Sequence, residues 1–296
     1  MNLKSLLSKI QDPDRTWGEK LQILVRLIQL KNFRIFKRLR IIADPKAPRF
    51  VGWGMTSTHA LPWDLKSSTD IIGLKFLEAE NNLLKRLSNG EFVTPSENAL
   101  KNMSGWRWRH YFLYWSATLA TRFTKSSSCN FVEAGVWEGM TVYFAASALK
   151  EETGVNRDYR LFLYDAWDSM KSEYLTTKES GAIGNYSYLS LDRTKANLKE
   201  FEEHCEFVKG YIPEIFSQNP GPSELSWLHI DLNSSMPTQK TLEEFVPKLL
   251  SGGVVVFDDY GWGGFDETKK VADKYFSKRD GILMPLPTGQ AIFFKS

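Results

Sequence analysis

The feature that most constrains this chain begins at residue 130, where short apolar runs alternate with helical stretches. The runs are NFVEAG (130–135), YRLFLYDA (159–166), CEFVKG (205–210), SWLHIDL (226–232) and GVVVFDDY (253–260), and each ends in or beside an acid or a glycine. Stretches 139–151, 190–204, 237–250 and 265–278 between them read as helices. That alternation predicts a parallel sheet with helices on both faces. The last two runs, GILMPLP and QAIFFK, meet at Thr288 and Gly289 with no helix between them, and so predict a hairpin. The expected fold is α/β: a doubly wound sheet of seven strands closed by an antiparallel C-terminal hairpin. In such sheets ligands bind at the carboxyl ends of the strands, where this chain places its acids and glycines.

The first 125 residues read as a helical cap, with the α/β domain over 126–296. In residues 17–42, Leu21, Leu24, Ile28, Ile35, Leu39 and Ile42 recur at helical steps. A second helix is expected over 69–89, capped by Ser68 or Thr69 and stopped before Gly90, and a third over about 96–122. Residues 45–63, with His59, read as a loop. Charge divides in the same way. Residues 1–50 carry twelve Lys/Arg and four acids, a balance of +8, whereas the whole chain is +3, so the other 246 residues sum to −5. A mildly acidic body argues against nucleic acid as a partner.

The first strand opens into Glu133, Gly135 and Gly139. Gly135 permits a tight turn and close backbone approach to a ligand; Gly139 relieves crowding where the helix starts. Trp137 stands at the second glycine position of a dinucleotide fingerprint, so the turn is not one. A generic strand–helix turn is the alternative. Asp165, ending the second strand, is placed to accept both hydroxyls of a ribose, or is simply solvated. Gly210 and Tyr211, ending the third, are placed to face an adenine, with core packing of Tyr211 an equal reading. Asp231 ends the fourth strand, and Asp258 and Asp259 end the neighbouring fifth. Three converging carboxylates repel one another unless a hard divalent cation or a nearby base joins them; oxygen-only ligands favour Mg²⁺. The loop 168–188 is long and polar enough to close over a substrate. Residues 106–111 (WRWRHY) form either a carbohydrate or carboxylate platform or one face of a packed helix.

The segments VEAGVWEGMT, LYDAWDSM, GYIPEIF, 228–262 and TGQAIFFK resemble the macrocin O-methyltransferase family of class I, Rossmann-like methyltransferases. The resemblance spans about 105–296 and implies a transferase that uses S-adenosylmethionine and Mg²⁺ to methylate sugar hydroxyls. It implies that Glu133, Gly135, Gly139, Thr141, Asp165, Gly210 and Tyr211 hold the cofactor, that Asp231, Asp258 and Asp259 hold the metal, and that Asp231 and position 233 serve catalysis. The family has a second aspartate, its proposed general base, where this chain has Asn233, and Ser235 and Pro237 replace its tyrosine and serine. An amide takes no proton at neutral pH. His59, His110 and Asp266 are the replacement bases to consider; His204 and His229 read as structural.

The expected function is therefore metal-dependent O-methylation of a sugar or glycosylated metabolite. The rival readings are a non-catalytic cofactor-binding scaffold and a methyltransferase of a membrane-associated glycan. Cys129 and Cys205 have no metal or disulfide spacing, and neither a signal peptide nor a spanning helix is expected, which points to the cytoplasm. The basic segment 1–43 packs into the cap or a second copy, giving a homo-oligomer, or else touches an anionic membrane surface. The resemblance favours the first.

Overall fold

A computed structural model of the protein describes residues 70–95, 99–126, 128–153 and 158–296. The expectations for the 17–42 helix, the 45–63 loop with His59 and the basic segment 1–43 lie outside the described residues. In chain order the elements are α1 (Ile71–Ser88), α2 (Ala99–Phe123), β1 (Ser128–Ala134), α3 (Met140–Thr153), β2 (Asp158–Asp165), α4 (Leu191–Asn197) and β3 (Cys205–Lys209). They are followed by β4 (Leu225–Ile230), α5 (Ser235–Phe245), β5 (Leu249–Phe257), α6 (Asp266–Phe276), β6 (Gly281–Pro285) and β7 (Ala291–Lys295).

The strands form one seven-stranded sheet in the order β3-β2-β1-β4-β5-β7-β6. β1 to β5 run parallel, and β7 pairs antiparallel with both β5 and β6. The doubly wound sheet with its terminal hairpin is thus as the sequence predicts. At the hairpin, the Leu286 N–H donates to Gln290 O at 2.8 Å, and Gly289 takes φ +89°.

Strand alternation divides the core into two layers. Phe131, Leu161, Leu163, Trp227, Val254 and Val256 belong to one layer, with Phe76 of α1, Leu113 and Ala117 of α2, and Phe144 and Leu149 of α3. Val132, Tyr164, Leu228, Val255 and Phe257 belong to the other, with Leu242 and Phe245 of α5 and Ala272 and Phe276 of α6. Phe131 and Trp227 are register partners and stack at 5.1 Å, with the Trp227 indole N–H satisfied by Ser116 Oγ at 2.9 Å. Burying each such side chain contributes about 1.5–3 kcal/mol. The same alternation points Glu133 and its register partner His229 toward the layer containing α2, which carries Arg109.

Two details differ from expectation. The N-cap of α1 is Asp70, not Ser68 or Thr69; its carboxylate accepts from the Gly73 N–H at 2.9 Å, satisfying a first-turn donor. α5 ends at Phe245, continues as a 3-10 turn over Val246–Lys248, and is already strand by Leu249. Pro247 within that turn cannot donate to an α-helical bond.

Candidate active site

A cavity of about 910 Å³ opens at the carboxyl ends of β1 to β5. One wall is the glycine turn after β1. Gly135 adopts φ +87°, and its N–H donates to Tyr164 O at 2.8 Å. A Cβ built there would lie 2.0 Å from the Asp231 carbonyl oxygen, so only glycine lets the β1 and β4 turns approach this closely. Gly139 takes φ +85°, with Leu198 where a Cβ would go. Thr141 Oγ1 donates to the buried Glu133 carboxylate. Gly135, Thr141, Asp165, Gly210 and Tyr211 line the cavity, whereas Glu133 lies beneath it.

Asp165 organises this turn. Its Oδ2 accepts from the N–H groups of Val136 at 2.7 Å and Trp137 at 3.0 Å, and its Oδ1 from Trp167 N–H at 2.7 Å. Burial pushes its pKa up, and those three donors oppose the rise. Trp137, held at φ +52°, donates its indole N–H to Tyr188 Oη at 3.2 Å. Gly210 N–H donates to Asp165 O at 2.9 Å, bringing the β3 turn against the same wall. Tyr211 stacks on Tyr174 at 4.9 Å, has Lys171 Nζ 4.0 Å from its ring centroid, and donates to Ser169 O at 2.8 Å.

The loop 168–188 is ordered by two 3-10 turns, Ser172–Tyr174 and Thr177–Ala182, the second with a capping box between Thr176 and Glu179. Glu179 also accepts from Ser235 N–H at 2.7 Å, and Lys178 pairs with Glu267 of α6 at 2.7 Å. Met170, Lys171, Tyr174, Leu175 and Tyr186 thereby face the cavity.

Opposite the glycine turn the three strand-end acids converge, and a cation joins two of them. Arg109 of α2 donates from Nε to both oxygens of Asp258, at 2.8 and 3.0 Å, and from a terminal nitrogen to Asp231 Oδ2 at 2.9 Å. Gln290 Nε2 donates to Asp258 Oδ1 at 3.0 Å. His229 contacts carboxylates on both sides, its Nδ1 3.2 Å from Glu133 Oε1 and its Nε2 3.9 Å from Asp258 Oδ1. Asp259 Oδ2 is buried with no hydrogen bond. Burial works against the Asp258 charge, but Arg109 and His229 outweigh it and hold that carboxyl well below the usual range. Burial and the neighbouring acids push Asp231 up to about 7 and Asp259 up to about 8. Burial lowers the His229 pKa, but Glu133 and Asp258 outweigh it and raise the ring to about 10. When all are ionised, Glu133, Asp231, Asp258 and Asp259 exceed Arg109 and His229 by two negative charges. That excess, the bare Asp259 oxygen and the oxygen-only strand ends suit a hard divalent cation. Among the described residues, the set whose ligand atoms all lie within 4.8 Å of one another is His229, Asp231 and Asp258.

Three of these contributors were not assigned a site role from the sequence. Arg109 was read only as part of a possible platform, His229 as structural, and Gln290 not at all. The signal for Arg109 was the acids' need for a base. Helical spacing sends Arg107 to Glu80 instead, at 2.7–2.8 Å. Asn233 lines the cavity at φ +55°, a region that Asn and Asp enter more readily than other non-glycine residues. His110 is fully buried and stacked on Phe144 at 4.5 Å, and burial lowers its pKa well below the usual value. Neither His110 nor Asp266 is among the cavity-lining residues. His204 stacks on Tyr159 at 3.8 Å, as a structural histidine would.

Residues 132–260 match the family model described as a methyltransferase domain. A curated relative from Streptomyces olivaceus, the 8-demethyl-8-(2,3-dimethoxy-alpha-L-rhamnosyl)-tetracenomycin-C 4'-O-methyltransferase, is 23% identical over 175 residues, or 55% of this chain. The match spans 64% of that relative's length. Among solved structures, the O-methyltransferase NovP aligns with a TM-score of 0.61 at 16% identity, over 76% of this chain and 99% of NovP. The calicheamicin methyltransferase CalS11 aligns with a TM-score of 0.53 at 16% identity, over 74% of this chain and 91% of its own. The resemblance to macrocin-type O-methyltransferases is borne out by the domain match and the curated relative, and the structural matches bear out the fold.

Proposed function

We propose, for a chain whose residues 132–260 match the methyltransferase domain family model, that it transfers a methyl group from S-adenosylmethionine to a hydroxyl of a sugar or glycosylated metabolite, with Mg²⁺. The observation that carries the reading is one cavity with a glycine turn on one wall and three strand-end acids on the other. The curated relative is named for methylating a rhamnosyl hydroxyl, which supports a sugar acceptor.

In this reading Gly135 and Gly139 shape the cofactor cradle, with Thr141, Gly210 and Tyr211 along it. Glu133 supports the cradle from below through Thr141. Asp165 has most of its lone pairs on backbone N–H groups, so its main task is to hold the turn; the unused acceptor position on Oδ1 is left for a ribose hydroxyl. Asp231, Asp258 and Asp259 would hold the metal. When bound, the sulfonium supplies the methyl group and the divalent cation supplies charge that acidifies the acceptor hydroxyl, an effect of several kcal/mol. The walls would hold donor and acceptor together, and such positioning contributes much of the acceleration. Asn233 would orient the acceptor by hydrogen bonding and takes no proton; the proton of the acidified hydroxyl would leave to water in the open cavity. Packing of residues 1–43 into the cap or a second copy belongs to this proposal, with contact to an anionic membrane surface as its alternative. Among the described residues, no helix is long and apolar enough to cross a membrane.

The test is incubation with methyl-labelled S-adenosylmethionine, Mg²⁺ and a panel of sugar glycosides, for wild type and Asn233→Asp. Label should appear in an alkali-stable methyl ether. The φ of +55° suits Asp as well as Asn, so the variant should fold and keep its activity or gain a few-fold. A cofactor-binding wild type that labels no hydroxyl would favour the scaffold reading. High turnover abolished by Asn233→Asp would make the amide an essential acceptor contact.

A further inference from the structure

Asp258 Oδ1 is saturated by protein donors. Its Oδ1 accepts from Arg109 Nε and Gln290 Nε2, and its Oδ2 accepts from Arg109 Nε as well. The same guanidinium reaches Asp231 Oδ2. A carboxylate oxygen has two lone pairs, so Oδ1 has no room for a further ligand unless a donor leaves. Gln290 is 1% exposed and immediately precedes β7, beside the hairpin turn. Arg109 is the movable donor: it lines the cavity, its side chain is 22% exposed, and a flexible three-methylene stem carries it from α2. It also satisfies the cluster only in part. One positive charge spans Asp231 and Asp258, while Asp259 Oδ2 is buried without a hydrogen bond.

From this geometry we infer that Arg109 is a tethered counter-cation that occupies the acid cluster in the metal-free protein and competes with a divalent ion for it, giving up its place on Asp258 Oδ1 when the ion binds there. The inference rests on the metal reading above. Two positive charges on a compact ion neutralise the cluster better than one charge spread over a guanidinium, so the ion wins at sufficient concentration. Until then Arg109 keeps Asp231 and Asp258 together and the strand ends in place. The protein therefore exchanges affinity for metal against order in its absence.

The experiment compares wild type, Arg109→Gln and Arg109→Lys by Mn²⁺ titration, following the free-ion paramagnetic signal, and by thermal melting with and without Mg²⁺. An opposite charge within about 4–6 Å changes a carboxylate's affinity for a proton by about 10- to 1000-fold. Removing it should tighten Mn²⁺ binding by about tenfold or more. Arg109→Gln should melt at a lower temperature than wild type without metal and gain more on adding Mg²⁺. Arg109→Lys keeps the charge but cannot span two carboxylates, so it should fall between the two, and it carries the test if the Gln variant does not fold. Equal or weaker Mn²⁺ binding in folded Arg109 variants, beside clear binding by wild type, overturns the inference and leaves the metal reading standing. No Mn²⁺ binding by any of the three at millimolar concentration overturns both.

Discussion

Asp258→Ala is expected to lower methyl transfer by about a hundredfold or more, because it removes a proposed ligand of the acidifying cation. EDTA should do the same to wild type, and Mg²⁺ should restore only the wild type. The three acids should differ in their effect on stability. Asp258 is held ionised by Arg109 and His229, so its loss takes one of two carboxylate partners from a guanidinium and from a fully buried imidazole, and the acceptor from the Gln290 amide. Breaking such a pair costs about 3–5 kcal/mol, and the metal-free Asp258→Ala protein should melt lower. Asp259 is the opposite case. Burial and its neighbours raise its pKa to about 8 from an ordinary 3.8, so the folded state binds its proton more tightly than the unfolded chain does. Stability of the metal-free protein should therefore fall as pH rises from about 4 through about 8. Asp259→Asn should flatten that fall and raise the melting temperature at pH 8. Equal destabilisation by both substitutions would contradict the assigned charge balance.

Gly135→Ala is expected to damage the fold and the cofactor cradle together. The left-handed backbone costs a non-glycine residue about 1–2 kcal/mol. The added methyl meets the Asp231 carbonyl oxygen at 2.0 Å, backbone against backbone, and overpacking costs a further 1–3 kcal/mol or so. Gly90→Ala is the matched control, because Gly90 has φ +71° and nothing within 4 Å of a built Cβ. The denaturant midpoint should drop substantially more for Gly135→Ala, and only that variant should lose cofactor affinity. Equal shifts would mean that β1 and β4 separate freely at this point.

The parts of this molecule written as local periodicity were legible in the sequence. Strand–helix alternation predicts the sheet, and the missing helix between GILMPLP and QAIFFK predicts the hairpin. Acids at successive strand ends predict their convergence, because neighbouring parallel strands present the same edge. What was not legible depends on which long-range partner answers a local need. Asp165 has the spacing of a ribose acceptor, yet much of its lone-pair capacity is taken by backbone donors 28 and 29 residues upstream. Arg109 lies 149 residues from Asp258, and no spacing rule links a helix before the sheet to the end of its fifth strand. His229 reads as a buried strand histidine. The β1–β4 register sets it beside Glu133, and its other ring nitrogen lies 3.9 Å from Asp258 Oδ1. Asn233 was visible as a departure from the family pattern, and its left-handed backbone suits Asn and Asp alike.

The measurement that bears most directly on this account is calorimetric titration of the full chain with S-adenosylhomocysteine, with NAD as the competitor chemistry. The account predicts micromolar-range binding of S-adenosylhomocysteine to one site. It also predicts weakening by tenfold or more in Asp165→Ala, whose loss frees the N–H groups of Val136, Trp137 and Trp167 that order the turn, and no comparable binding of NAD. Tight NAD binding with no heat from S-adenosylhomocysteine would contradict it.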